Sequence, residues 1–195
     1  MKIMPALGAL LPAILLSGCV SFGSKPPPSL LVLSATSSLP AGASHGGVKS
    51  EALVILTPTV PRKLDTNRVP VQMSSSSIAY LKDAMWSDKP ASLMQQLLME
   101  TIAAKNDRLV LNESDAGGQA QMMLSGNLME FGVDENSGNA VIIYDAVKLV
   151  RGEPVEKRRF EVRRPVSVIE PVPVGTALNE AANQLASDVA AWLKQ

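Results

Sequence analysis

Between Ala120 and Val168 apolar and polar residues roughly alternate, and after Gly175 the apolar residues recur every three or four positions. A period of two marks a half-buried strand, and a period near 3.6 marks a helix lying on a core. Met122, Leu124, Gly126 and Leu128 share one strand face, and Phe131 then falls out of phase with them. A bulge after Leu128 would restore the alignment, because one extra residue exchanges the two faces of a strand. Asp134 to Asn139 and Arg151-Gly152-Glu153-Pro154 are turn chemistry. They divide the region into strands 120–133, 140–150 and 155–168, an antiparallel meander. Leu178, Ala182, Leu185, Val189, Trp192 and Leu193 then line one stripe of a closing helix that opens at Gly175-Thr176.

The first half is more broken. Leu30 to Leu33 reads as a first strand, and residues 34–50 as a loop most flexible at His45-Gly46-Gly47. Ala52 to Thr57 is a continuous apolar run of buried-strand type. Val69 to Met73 alternates around Pro70, which suggests an edge strand or a strand start. Ile78 to Leu81 forms a short strand. Asp88-Lys89-Pro90 opens a helix whose stripe is Leu93, Leu97, Leu98 and Ile102 and which ends near Lys105. Leu109 to Leu111 adds a short strand. The expected fold is α+β: a mostly antiparallel sheet with two helices packed on one face.

The N-terminus carries an address. Lys2 precedes an apolar stretch from Ile3 to Leu16, shorter than the ~20 residues of a membrane span and of the right length for a secretory signal. Leu16-Ser17-Gly18-Cys19 resembles the bacterial lipoprotein box at all four positions. Residues 1–18 are thus expected to be cleaved. Cys19 would carry diacylglycerol and an N-acyl chain, with no other cofactor. One acyl chain holds a protein only marginally, whereas three hold it firmly. Val20 in place of Asp favours the outer membrane by analogy with Gram-negative sorting. Residues 19–29, with Pro26-Pro27-Pro28, form a tether, and 30–195 a single periplasm-facing domain.

Composition narrows the function. Eighteen basic residues balance 18 acidic ones, and loss of Lys2 leaves 17, which disfavours nucleic acid as a partner. One Cys and one His exclude a disulfide framework, a Cys/His zinc site and most nucleophile–His pairs. His45 lies in a Ser/Gly-rich loop that could hardly position a base. Asp134 and Glu135 read as a solvated turn rather than calcium ligands. Asp83 and Asp88 read as local structure beside a helix start. The chain is therefore expected to be non-catalytic. Two contact candidates remain. Tyr80 and Trp86 are two of only seven aromatics and stand close together; they either cap the core or anchor a partner. Lys157, Arg158, Arg159, Arg163 and Arg164 fall on both faces of one strand, as a charged edge or as a contact for an acidic partner or lipid headgroups.

Several features occur in one order: the lipoprotein box, the Pro-rich spacer before Leu30 to Leu33, and Arg68-Val69-Pro70. Ile78-Ala79-Tyr80 with Trp86 and Pro90 follows, then Leu124-Ser125-Gly126-Asn127-Leu128 with Phe131, and the Ala-rich helix with Trp192-Leu193. This ordered set resembles the ABC-type transport auxiliary lipoproteins, the paraquat-inducible protein C-like group. Loop 34–50 has no match in that pattern. The resemblance implies an accessory subunit that docks an MCE-domain (mammalian cell entry) protein of an ABC transport system at the outer membrane. Such systems move phospholipid or other hydrophobic molecules between the membranes. The competing readings are a generic envelope scaffold, a carrier that holds an acyl chain between sheet and helices, and an exported hydrolase, which the lone loop histidine disfavours. The sequence leaves the cargo and the oligomeric state, homo-oligomer included, open.

Overall fold

The structure is a computed structural model that describes residues 30–195. The expected leader, Cys19 and the tether lie outside the described residues. Seven strands form one sheet: β1 (Leu53–Ile55), β2 (Arg68–Ser74), β3 (Ser77–Met85), β4 (Val110–Leu111), β5 (Met122–Asp134), β6 (Asn139–Val150) and β7 (Glu156–Pro165). Three helices accompany it: α1 (Pro90–Asn106), α2 (Glu113–Ala116) and α3 (Pro171–Trp192).

β5 is the spine. Along one side it pairs antiparallel with β6, which pairs antiparallel with β7, as the meander pattern required. The register slips between Leu128 and Glu130, so Met129 is the extra residue and Phe131 rejoins Leu128 on the buried face. Along its other side β5 takes two partners end to end, both parallel: β1 against Met122–Leu124 and β2 against Val133–Asp134. Between them Thr59 bridges Asn127, also in parallel. The expectation of a mostly antiparallel sheet is corrected to a mixed one, with the β1–β4, β1–β5 and β2–β5 ladders parallel. The α+β composition stands. Alternation specifies which face of a strand is buried; it carries no information about which strand lies alongside or in which direction.

Pro70 does not mark an edge. β2 lies inside the sheet, between β3 and β5. Proline is tolerated there because β2 is irregular between Arg68 and Pro70, and the β5 contact begins only at Val71. Gly132 on β5 makes the approach feasible, since a Cβ there would sit 2.3 Å from the Pro70 carbonyl oxygen. β3 is the edge strand, longer than its Ile78–Leu81 nucleus, with Asp83 at φ 54° where its pairing breaks.

α1 and α3 pack on each other and on one face of the sheet. α1 begins with Pro90 at its first position and ends at Asp107, which adopts a left-handed conformation. α3 starts at Pro171, four residues before Gly175-Thr176, because prolines in a first turn forfeit only N–H groups that have no helical partner. Leu178, Leu185 and Val189 are fully buried. α2 covers one corner of the opposite face, where Val54, Ala116 and Ala120 form a small second core. That cover explains why all of β1 is buried.

Leu30 to Leu33 is not a ladder strand. Leu31 makes one parallel bridge to Trp86, donating its amide to Met85 and accepting from Ser87, both at 2.8 Å. Leu31, Leu33 and Ala35 turn toward the core while Leu30, Val32 and Ser34 face solvent. This extended strap lies along α3. Ser34 donates its amide to Asn179 Oδ1 at 2.9 Å, and Thr36 donates to Asn183 Oδ1 at 2.7 Å. Gly175, one turn before Asn179, leaves room for Leu31.

Candidate partner-contact surface

With α1 and α3 on one face, most of the other face of the sheet is open. From β5 to β7 the side chains stand in cross-strand rows. Asn127, Asp145 and Arg159 form one, Glu130, Ile143 and Glu161 the next, and Gly132, Val141 and Arg163 a third. Charges in these rows are mutually paired. Arg159 forks onto Asp145, Nε to Oδ1 at 2.6 Å and Nη2 to Oδ2 at 2.7 Å. That hydrogen-bonded guanidinium holds the Asp145 carboxyl below the ordinary carboxylate range. Lys63 reaches Glu130 at 2.5 and 2.6 Å, and Arg163 pairs with Glu161 at 2.7 Å and lies 4.0 Å from Asp134.

Two depressions mark this face. A polar cleft of about 600 Å³ is lined by Lys63, Pro70, Gln72, Glu130, Asp134 and Arg163 among others. An apolar groove of about 480 Å³ beside α2 is lined chiefly by Val54, Leu56, Ala116, Met123 and Leu149. Asp134 sits in the β5–β6 turn and accepts from the Ser137 hydroxyl and the Asn136 amide, which keep its carboxyl acidic. This is the turn role read from the sequence.

The aromatic pair does not exist as a surface feature. Trp86 is 1% exposed and packs against Phe131 with ring centroids 5.2 Å apart. Its expectation as a contact anchor is therefore corrected: it is a core residue, the other of the two readings. Tyr80 stands opposite Pro70, whose side chain lines the cleft on the open face. It is half-buried, donates to the Lys63 carbonyl at 3.3 Å and carries the Arg68 guanidinium 4.3 Å from its ring. Strict alternation would put residues 80 and 86 on one face; the irregularity of β3 at Asp83 shifts the phase between them and separates the two residues that proximity in sequence had joined.

The basic strand lies at the sheet edge. Phe160 and Val162 of β7 face the helices and are buried, so Arg158 and Arg164 share their side while Lys157, Arg159 and Arg163 take the open face. Both-face distribution is as the sequence implied. His45 is less free than its loop suggested: its Nε2 lies 3.1 Å from Asp107 Oδ1 at the end of α1. Among the described residues no three His, Cys, Asp or Glu side chains cluster as metal ligands. No described helix is long and apolar enough to cross a membrane.

Sequence reading missed Asn179 and Asn183, which clamp the strap. A signal was present, since Gly175, Asn179 and Asn183 recur at four-residue spacing and so share one side of the helix. It also missed Asp145 and Glu130, whose partners are distant in sequence: Arg159 on β7 and Lys63 in the turn before β2.

Taken together, the molecule is a small α+β domain with a helix-covered face and an open face of paired charges. Residues 32–190 match the family described as ABC-type transport auxiliary lipoprotein component, and the chain belongs to that family. The crystal structure of protein XCC0632 from Xanthomonas campestris is similar in fold, with a TM-score of 0.71 at 17% identity over 85% of this chain and 94% of that one. A second crystal structure, of an uncharacterised protein, gives a TM-score of 0.64 at 17% identity, covering 73% of this chain and 92% of that one. At these identities the likeness is one of fold. No curated protein matches the chain.

Proposed function

We propose that this chain is a non-catalytic outer-membrane lipoprotein, anchored through acylated Cys19, that docks the MCE-domain protein of an ABC transport system. The system would carry phospholipid or another hydrophobic molecule between the membranes. The observation that carries this reading is the family match across nearly the whole folded domain, 32–190, directly after a Leu-Ser-Gly-Cys box and a Pro-rich tether. The domain supplies an open, polar sheet face suited to protein contact.

The carrier reading placed an acyl chain between sheet and helices. That space is filled by Trp86, Phe131, Leu128, Tyr144 and Leu178, none more than 1% exposed. A lipid chain would need the apolar groove beside α2 instead, and that groove is the observation favouring a direct lipid contact.

Two measurements test the proposal. Cys19→Ser should abolish palmitate incorporation, because a hydroxyl forms no thioether; equal labelling of variant and wild type would contradict the anchor. Site-specific crosslinking from Tyr80 and Arg159 in whole cells should trap an MCE-domain protein encoded beside this gene. A neighbourhood lacking MCE and ABC components, with no such crosslink, leaves the envelope-scaffold reading in its place.

A further inference from the structure

β7 ends the sheet. It pairs with β6 through all ten of its residues, and among the described residues no backbone group outside β6 hydrogen-bonds to it. Its outer edge therefore presents unpaired amides and carbonyls, a template for a further strand. Short length, proline and charge are the usual ways to blunt such an edge. β7 has its proline only at the last position, Pro165, and is long for an edge strand. Charge is what distinguishes it.

Lys157, Arg158, Arg159, Arg163 and Arg164 stand against Glu156 and Glu161, a surplus of three positive charges on ten residues of a formally neutral chain. Arg159 and Arg163 are engaged by Asp145, Glu161 and Asp134. Lys157 and Arg158 form no ion pair among the described residues. Both are exposed, one on each face of the strand, and Arg158 lies 5.1 Å from the Phe160 ring centroid. Arg164 uses its guanidinium on the Arg163 carbonyl.

We propose that the outer edge of β7 receives an extended acidic segment of a partner protein as an added strand. Backbone hydrogen bonds would supply the pairing. Carboxylates opposite Lys157 on the open face and Arg158 on the helix face would set register and selectivity. A second copy of this chain is disfavoured at this edge. Two such edges would each bring a surplus of three positive charges, and antiparallel self-pairing keeps opposite residues on one face: centred on Glu161 it would set Arg158 opposite Arg164 and Arg159 opposite Arg163, and centred on Phe160 it would set Lys157 opposite Arg163, offset in part by Arg159 opposite Glu161. A lipid surface fits less well, because a plane meets one face of a sheet and has no amides to pair, whereas these cations are divided between faces and share only the edge. The inference rests on reading the domain as a docking subunit, but not on which transport system it serves.

The test uses the full acylated chain in phosphatidylcholine nanodiscs and a ten-residue peptide of repeating Glu-Glu-Val-Val, which as a strand carries carboxylates on both faces. Amide exchange across 156–165 should slow at alternate residues when millimolar peptide is added, since only every second amide of β7 faces outward. A Lys/Val peptide of the same pattern should leave exchange unchanged. The double variant K157E/R158E, at two exposed sites, should keep the wild-type fold and melting behaviour. It should weaken the Glu/Val peptide at least about tenfold and gain binding of the Lys/Val peptide. The proposal is overturned by no protection at millimolar Glu/Val peptide, by uniform rather than alternate protection, or by binding that ignores the charge reversal. Protection of β7 by phosphatidylglycerol nanodiscs alone, without response to the peptide, would assign the edge to the membrane instead. Because the probe is synthetic, loss of the MCE crosslink with retained peptide binding would separate failure of the transport reading from failure of this one.

Discussion

Thr36 donates its backbone amide to Asn183 Oδ1 at 2.7 Å, joining the strap at the start of the described residues to the middle of α3. The same side chain returns a hydrogen bond from Nδ2 to the Ser34 carbonyl at 2.9 Å. One asparagine thus satisfies a donor and an acceptor of a segment that has almost no strand partner of its own. Asn183 is 8% exposed, so water cannot easily replace either bond. Load applied from the N-terminal side would meet the Leu31 bridge to Met85 and Ser87 first and this clamp next.

Asn183→Ala should therefore cost about 1–3 kcal/mol, the penalty for stranding two part-buried backbone groups. The loss should be local. Urea melts should show the destabilisation, and amide exchange should speed up at Thr36 while the β5–β6 core stays protected. A variant with wild-type stability and unchanged Thr36 exchange would show that the strap is held by Leu31 and Leu33 alone.

Gly126→Ala should be disruptive although the change is one methyl group. A Cβ at Gly126 would lie 2.5 Å from the Asp145 carbonyl oxygen and 2.7 Å from the Tyr144 ring. That ring is pinned by a 3.0 Å hydrogen bond from its hydroxyl to the Ser125 carbonyl and is fully buried, which also pushes the phenol ionisation upward. Backbone and a buried ring cannot both retreat, so a cost of about 1–3 kcal/mol or more is expected in thermal melts. Gly42→Ala, with open space around its Cβ, would be strained only through its φ of 84° and serves as the comparison.

Trp86→Ala and Tyr80→Ala should part company. Removing a fully buried indole packed at a tilt against Phe131 should cost about 3–5 kcal/mol. Removing Tyr80 should cost about 1 kcal/mol, the loss of one cation–π contact and one long hydrogen bond. Denaturant melts decide it. Equal small effects would place Trp86 at the surface after all.

The Asp145–Arg159 fork carries a pH signature. The folded state holds the Asp145 carboxyl below its unfolded value, so the pair contributes stability at neutral pH that is lost as pH falls through the depressed folded value. Arg159→Ala should raise the Asp145 titration toward the ordinary carboxylate range in carbon-detected NMR. The stability gap between variant and wild type should close under acid conditions. Arg159 is largely exposed and Asp145 partly so, and the gap should also shrink in high salt. An unshifted Asp145 titration would mean the fork is not populated in solution.

Local chemistry along the chain was enough to specify much of this molecule. The phase break between Leu128 and Phe131 required a bulge, and Met129 is it. The turns after Asp134 and Arg151 define the meander, and Pro90 starts α1. These are properties of neighbouring residues, for which spacing is sufficient. Tertiary structure decided what depends on distant partners. It set β1 and β2 parallel along one side of β5, which moved Pro70 to the sheet interior and turned Trp86 into core. It brought Asn183 to Thr36 across 147 positions and His45 to Asp107. It also left β7 as the outer strand, so that five cations readable in the sequence became a charged edge with free backbone. A periodic pattern states which side of an element is buried. Which surface buries it, and which edge remains open, follows only when all the elements compete for the same core.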